Sequence, residues 1–457
     1  MVASYSEILG KVERGEAVVM TADEAFRLAE SKGPEALLGV DVVTAATRAV
    51  MSGTFAVLSF PVAAPGSFLR AEEVWLNGVP ASVGPCPNEN LGVLDLVVFG
   101  TAHSRDRPGY GGGHLFRDLV EGKRVNVQVQ AAGGLLLSRE VCLEEMPHAR
   151  LYGSRHSFKN YAAFVNAGSS PVSSIFHARP FPPHFEEATV SGCGRVSPLK
   201  NDPRLETVGV ASRVLINGAE GYVLGGGTRS SRERPNLSGF ADMHKMQAEY
   251  MGGFATAAGP ECVCSWAVAI PLVSEAILQE VARPDGRIDL PVNDVSSRQT
   301  IGRSDYGEVW DDADLDVEFD RDCCRGCRPC LVEAACPMRA VAGGEGSEGS
   351  QAKKGSKGRE DGESWDGAAR AVRDEGLCFH CGLCVSVCPN GAFSARLGAI
   401  TMKSTGDGGV AGEGQTRTIA IALRQSDRLG ALRLAEDLKN RILDGSFRMV
   451  QPVERIY

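Results

Sequence analysis

Four cysteines in one run, Cys378-Phe-His-Cys381-Gly-Leu-Cys384-Val-Ser-Val-Cys388-Pro389, constrain this chain more than any other stretch. Thiolates at this spacing can wrap a [4Fe–4S] cube. A stretched copy lies upstream, where Cys324-Arg-Gly-Cys327-Arg-Pro-Cys330 is followed after five residues by Cys336-Pro337. The two runs predict two [4Fe–4S] clusters as cofactors, and therefore electron traffic. Structural zinc sites close more often on two CxxC pairs than on three evenly spaced cysteines and a Cys-Pro, so zinc fits less well. Cys323 reads as a spare thiol and His380 as a local hydrogen-bonding group beside the sulfurs.

The paired runs resemble those of bacterial two-cluster ferredoxins. That resemblance implies crossed ligation, in which the fourth cysteine of each run serves the other cluster. One set would be Cys324, Cys327, Cys330 and Cys388. The other would be Cys378, Cys381, Cys384 and Cys336.

The chain's 457 residues suggest roughly three domains. Its 43% hydrophobic and 23% charged content is ordinary for a globular protein with a large core. Gly252 to Val273 is the most apolar stretch, but Pro260, Glu261 and Pro271 interrupt it, which argues against a membrane span and for a cytoplasmic protein. A net charge of -9 offers no footprint for nucleic acid and favours small-molecule partners. The five cysteines away from the runs (Cys86, Cys142, Cys193, Cys262 and Cys264) make no disulfide framework and suit a reducing compartment.

Along the chain, helical and strand signals alternate. Residues 4–14 read as a helix, Ala17–Met20 as a strand, and Thr21-Ala-Asp-Glu24 as a capping box opening a helix to about Ser31. Strands are expected at Val40–Thr47, after the Ser52-Gly53 turn, at Val125–Ala131, at Thr207–Val210 and at Arg213–Ile216, with a helix near Val273–Ala282. The expected organisation is an α/β or α+β domain over 1–305, a two-cluster ferredoxin domain over 306–394, and a small β-α tail over 395–457 that packs on a neighbour. Within the middle piece, 343–367 has almost no apolar residues and reads as a disordered insertion. The tail's helix, Ser426 to about Leu443, should bury Leu432, Ala435, Leu438 and Ile442.

Two glycine clusters, Tyr110-Gly-Gly-Gly-His114 and Leu224-Gly-Gly-Gly-Thr-Arg229, could cradle an anion or simply turn the chain. Arg229, Arg195 and His114 are the candidate ligands for a substrate anion. Among thiols, Cys193 and Cys86 sit in Gly/Pro-flanked segments that would expose them, and Arg195 could lower the Cys193 pKa, so both are candidate nucleophiles. Cys262 and Cys264 would share one face of a strand as small core residues. Cys142 falls in a helical pattern and reads as structural.

Several stretches resemble the homocysteine-biosynthesis family of reductive aldehyde sulfurtransferases: Gly15-Glu-Ala-Val-Val19, Val74-Trp-Leu-Asn-Gly-Val-Pro80, Tyr110-Gly-Gly-Gly-His-Leu-Phe-Arg-Asp-Leu119, Ser197-Pro-Leu-Lys-Asn-Asp202 and Gly221-Tyr-Val. With the cysteine runs and Leu423-Arg-Gln-Ser-Asp-Arg428, the chain is similar to the methanogen branch called methanogenesis marker protein 16, linked to coenzyme M synthesis. The resemblance implies conversion of a small anionic aldehyde, here sulfoacetaldehyde, to a thiol. Sulfide or a persulfide would donate sulfur, and an external low-potential donor would send two electrons through the clusters. Aspartate semialdehyde conversion to homocysteine is the alternative substrate, and a non-catalytic iron–sulfur carrier or assembly protein the alternative class. The family carries a cysteine just before the Ser-Gly turn, where this chain has Val50-Met51-Ser52-Gly53, and a second one where Leu135–Leu137 stands here.

Overall fold

A computed structural model describes residues 2–84, 90–159, 161–343, 370–405 and 414–457. The architecture is mixed and sheet-rich. From one edge, a large sheet runs through strands Val19–Thr21, Val42–Val50, Gly259–Pro271, Arg213–Ile216, Ala219–Gly226, Leu237–Asp242, His148–His156, Thr54–Pro61 and Val93–Phe99, then on through Val79–Val83, Ala71–Leu76, Val125–Ala131 and Leu135–Val141. Only Val19–Thr21 and Val42–Val50 pair in parallel. Antiparallel pairing of this extent is the α+β arrangement rather than a series of βαβ units. The buried faces follow from composition: Thr54–Pro61 alternates inward Thr54, Ala56, Leu58 and Phe60 with outward neighbours, whereas Val42–Val50 is covered on both faces and is almost wholly small or β-branched.

A second body is a closed barrel in the order Ala163–Val165, Glu187–Val190, Thr416–Arg424, Ala399–Ser404, Thr300–Asp305 and Asp289–Asp294. Its closure corrects the expected division of the chain. Thr300–Asp305 pairs with Ala399–Ser404, and Thr416–Arg424 pairs in parallel with Glu187–Val190, so a seam near 305 would cut a barrel and 395–457 is not a separate tail. The cysteine-rich residues are an insertion between two neighbouring barrel strands. Helix Arg428–Leu443, expected to pack on a neighbour, packs on Val42–Val50 and Gly259–Pro271 of the large sheet. It buries Leu434 rather than Leu432, together with Ala431, Ala435, Leu438 and Ile442.

The first capping box forms as the sequence requires: Thr21 Oγ1 accepts the Glu24 N–H and the Glu24 carboxylate accepts the Thr21 N–H. Thr207–Val210 makes only an isolated bridge through Val210, and the Gly225-Gly226 stretch ends strand Ala219–Gly226 instead of forming a turn. Most of the expected 343–367 insertion lies outside the described residues, as does Cys86. Among the described residues no helix is long and apolar enough to cross a membrane.

Candidate functional site

The inserted segment has two small sheets, Glu318–Phe319 with Phe393–Ser394 and Val341–Ala342 with Val372–Arg373. Two short helices, Leu331–Ala335 and Leu383–Val387, each lead into the last cysteine of a run. This folding brings cysteines from the two runs together across the segment. One cavity, of about 30 Å³, is lined by Cys336, Cys378, Cys381 and Cys384 with Val317, Val332, Met338, Phe379 and Phe393 among its apolar walls. A second, of about 30 Å³, is lined by Cys324, Cys327, Cys330 and Cys388. The first lies against the body of the protein, where Cys381 is buried; at the second, Cys327 is exposed.

Backbone and side-chain donors point at these sulfurs. The Ala340 N–H donates to Cys336 Sγ at 3.3 Å, His380 N–H to Cys378 Sγ at 3.4 Å, Ala371 N–H to Cys324 Sγ at 3.4 Å, and Asn390 Nδ2 to Cys327 Sγ at 3.0 Å. Burial and the neighbouring Cys336 and Cys384 sulfurs push the Cys381 thiol well up, and burial with the Cys378 and Cys336 sulfurs pushes Cys384 up to about 12. Four mutually repelling sulfurs in an apolar hollow disfavour bare thiolates, and a cationic inorganic core is what would offset that repulsion. Among the described residues no group of three or more His, Cys, Asp or Glu is placed to hold a metal ion. Four cysteines lining one hollow are the donor set that a [4Fe–4S] cluster would take. Cys323 lines neither cavity and donates to Asp320 at 3.1 Å.

Between the inner cavity and the large sheet lies a buried ionic layer. Arg48, on strand Val42–Val50, pairs with Asp427 and also donates to the Cys378 carbonyl at 3.3 Å, with its guanidinium 5.1 Å from the Phe379 ring centre. His380 Nδ1 meets Asp427 at 3.0 Å and its Nε2 lies 3.5 Å from Asp316. Burial alone would push the Asp427 carboxyl up, but Arg48 and His380 outweigh it and hold the group below its ordinary range. Arg428 pairs with fully buried Asp285 at 2.8 Å, and Arg195 reaches Asp285 at 3.4 Å and Asp23 at 2.9 Å. An apolar layer accompanies these ions: Phe254, Val263, Met338, Phe379, Cys381 and Leu423 pack together with Val50 against them. Val50 and Val263 are in register on adjacent strands, one residue before Met51 and one after Cys262.

The remaining candidates fall in scattered places. Cys193, expected on an exposed loop, is fully buried, 3.7 Å from Thr47 Oγ1 and 3.8 Å from the Arg48 carbonyl. Burial pushes its thiol up to about 11, the opposite of the expected activation, because Arg195 is turned away to Asp23 and Asp285. The glycines flanking Cys193 serve tight packing: a Cβ on Gly192 would stand 2.5 Å from the Tyr306 hydroxyl. Cys193→Ala is therefore expected to lower stability by roughly 1 kcal/mol, checked by urea melts. Cys142 is not helical; it ends strand Leu135–Val141, caps a short 3-10 turn and donates to Glu145 at 3.4 Å. Cys262 and Cys264 do share a buried strand face, with sulfurs 3.9 Å apart. The bond to Cys264 and burial push Cys262 up, while hydrogen bonds from Cys262, Thr54 and Asn217 hold Cys264 down against burial.

Of the anion candidates, Arg229 is exposed at the end of the glycine loop, and His114 is buried on helix Gly112–Val120. His114 Nδ1 accepts the Gly111 N–H at 3.2 Å, and burial beside Arg339 and Arg117 pushes the ring down to about 3. Arg195 is committed to two carboxylates. These three do not converge. The Arg48–Asp427–His380 centre escaped sequence reasoning because its members lie on three separated segments, although Leu423-Arg-Gln-Ser-Asp-Arg428, with five consecutive polar residues after an apolar strand, marked its location.

A model of the family described as homocysteine biosynthesis enzyme, sulfur-incorporation, matches residues 17–449. An uncharacterized protein of Methanothermobacter thermautotrophicus is 41% identical over 445 residues, covering 97% of this chain and 94% of that one. Another uncharacterized protein, from Methanocaldococcus jannaschii, is 35% identical over 432 residues, covering 94% and 98%. The L-aspartate semialdehyde sulfurtransferase of Methanosarcina acetivorans is 30% identical over 321 residues, 67% of this chain and 62% of its own length. No solved structure matches. The family match runs through the barrel and the cysteine insertion alike, in keeping with one interwoven fold, and the chain belongs to the homocysteine-biosynthesis, sulfur-incorporation family.

Proposed function

We propose that this protein is an iron–sulfur enzyme that inserts sulfur reductively into a small anionic aldehyde, in the way suggested by the marker protein 16 resemblance: sulfoacetaldehyde to 2-mercaptoethanesulfonate. The observation that carries the reading is the position of the inner cysteine cavity, which shares one apolar layer with Val50 and Val263, the residues leading to the Ser52-Gly53 turn and to Cys262. The overall change is balanced as aldehyde plus hydrogen sulfide plus two electrons and two protons giving thiol and water. Cys336, Cys378, Cys381 and Cys384 would hold one cluster, and Cys324, Cys327, Cys330 and Cys388 the other. Bound [4Fe–4S] groups would supply low-potential electrons one at a time. Exposed Cys327 makes the outer set the natural entry for an external donor, and the buried inner set faces the large sheet.

The protein's own residues prepare the other components. Ser52 hydrogen-bonds Glu261, whose carboxyl is buried, pushed up and left with Oε2 unpartnered among the described residues. A carboxyl so placed at the turn can hold a proton until the hydroxyl of a thiohemiacetal leaves as water. Sulfur arrives as sulfide, the level at which the two-electron balance holds; a persulfide donor would require two further electrons from the external donor to release its outer sulfur.

Aspartate semialdehyde is the second reading, favoured by two relatives, the L-aspartate semialdehyde sulfurtransferases of Methanosarcina acetivorans and Methanocaldococcus jannaschii. Anaerobic incubation of reconstituted protein with sulfide, a low-potential reductant and each aldehyde in parallel, with thiols identified by mass, separates them. Mercaptoethanesulfonate above the protein-free control is expected. Homocysteine alone would move the substrate to the second reading, and no thiol from either would leave an electron carrier.

A further inference from the structure

The large sheet and the barrel meet at a cleft of about 630 Å³ whose walls carry Arg155, Lys159, Arg234, Arg283, Arg287, Arg298 and Arg303 against only Glu233 and Asp289. In a chain with a net charge of -9 this is a concentrated positive field. Two of the cations are spoken for, Arg283 by Glu280 and Arg303 by Asp289. Arg155, Arg234, Arg287 and Arg298 have no ion pair among the described residues. Arg298 lies over the Phe176 ring at 4.1 Å and Arg155 over Phe158 at 5.1 Å, so both guanidiniums are held by aromatic faces with their edges left to donate. Arg155 Nε is buried without a partner, and so is the amide oxygen of Asn236, itself 1% exposed, on the same wall. Buried polar atoms left unpaired cost free energy and call for a ligand.

The Arg155 wall of the cleft backs onto the candidate reaction site. A Cβ on Gly53 would stand 3.1 Å from the Arg155 Cβ and 2.9 Å from Ser154 Oγ, so the Ser52-Gly53 turn is pressed against the Arg155 wall. Ser52 in turn holds Glu261. We infer that this cleft is the substrate's oxyanion site, with Arg155 and Arg287 gripping a sulfonate, carboxylate or phosphate group on a small molecule whose carbonyl end lies toward Ser52 and Glu261. The inference rests on the aldehyde reading above for its choice of substrate. It replaces Arg229, Arg195 and His114 with a set of arginines that share one concavity.

The test uses the reconstituted full chain and 2-hydroxyethanesulfonate as a non-reacting probe in titration calorimetry, alongside KM for the aldehyde. Wild type should bind the probe, more weakly as salt is raised. Arg155→Gln and Arg287→Ala should each weaken binding and raise KM at least about tenfold, the worth of a charged hydrogen bond, with kcat and the iron absorbance little changed. Arg229→Ala, on the exposed loop, should behave as wild type. No binding by wild type, or equal binding by both cleft variants, overturns the inference. If thiol forms at unchanged KM in both variants, the catalytic reading stands and the cleft site falls; if probe binding is lost in the variants while no aldehyde is converted, the site stands and the catalytic reading falls.

Discussion

Cys388→Ser is expected to cut the iron of anaerobically prepared protein from about eight to about four atoms per chain, with acid-labile sulfide falling in parallel, if each set of four thiolates holds one cube. The serine hydroxyl is a poor ligand for iron, and the cavity losing its fourth sulfur is the outer one, since Cys388 lines it with Cys324, Cys327 and Cys330 although it belongs by sequence to the other run. Spectra of the remaining centre should be those of the inner, buried set. Aldehyde turnover with an external donor should fall by more than about tenfold, because the exposed entry is lost while the inner set survives. Loss of the inner centre instead, with the outer one intact, would mean that each run ligates its own cluster, against the crossed grouping of thiols around the two cavities.

Asp427→Ala should be among the most destabilising single changes, by about 3–5 kcal/mol, because it strands the buried Arg48 charge. Arg48 Nε and Nη2 already lack partners among the described residues, and Asp427 also accepts the Gly430 N–H at 3.0 Å as the cap of helix Arg428–Leu443. Asp427→Asn keeps the cap and should lose less. A pH dependence identifies the charge. Asp427 is held below its ordinary value, so its contribution is fully present above the unfolded pKa of about 3.9 and is lost as pH falls through the folded pKa. His114 and His156, both pushed down to about 3 by burial, begin a separate loss below the unfolded value of about 6.5. Urea midpoints across this range should show the histidine loss in wild type and both variants, with a larger drop below about pH 4 in wild type than in either variant, since carboxylates such as Glu24, Glu187 and Asp294 are also held down and remain in all three. Equal stability of Asp427→Ala and wild type at pH 7 would show that the ion pair does not hold the inner cavity to the sheet.

The cysteine runs were legible because their information is local: spacing alone limits what four thiolates can surround. Helix caps such as Thr21 and Glu24 were legible for the same reason. Barrel closure was not, since the strand partners Thr300–Asp305 and Ala399–Ser404 lie on either side of the whole inserted segment, and strand signals carry no address for a partner. Arg48 and Asp427 are 379 residues apart, and nothing in either neighbourhood announces a buried charge. Cys193 misled for a physical reason. Glycines that suggest an exposed loop also permit close approach, and here Gly192 and Gly194 let Tyr306 and Asp285 press in around the thiol. The cleft arginines, spread from Arg155 to Arg303, form no motif until the sheet and barrel are brought together.

The central claim is that thiol formation is reductive and depends on the buried cysteine set. The most direct measurement is the electron stoichiometry of the reaction, counting oxidation of a reduced viologen against thiol formed from sulfide and aldehyde, for wild type and for Cys381→Ser. The account predicts two electrons consumed per thiol by wild type, following from the balance of aldehyde, hydrogen sulfide, thiol and water, and neither oxidation nor thiol with Cys381→Ser. Thiol formed without electron consumption, or at an undiminished rate by Cys381→Ser, would contradict it.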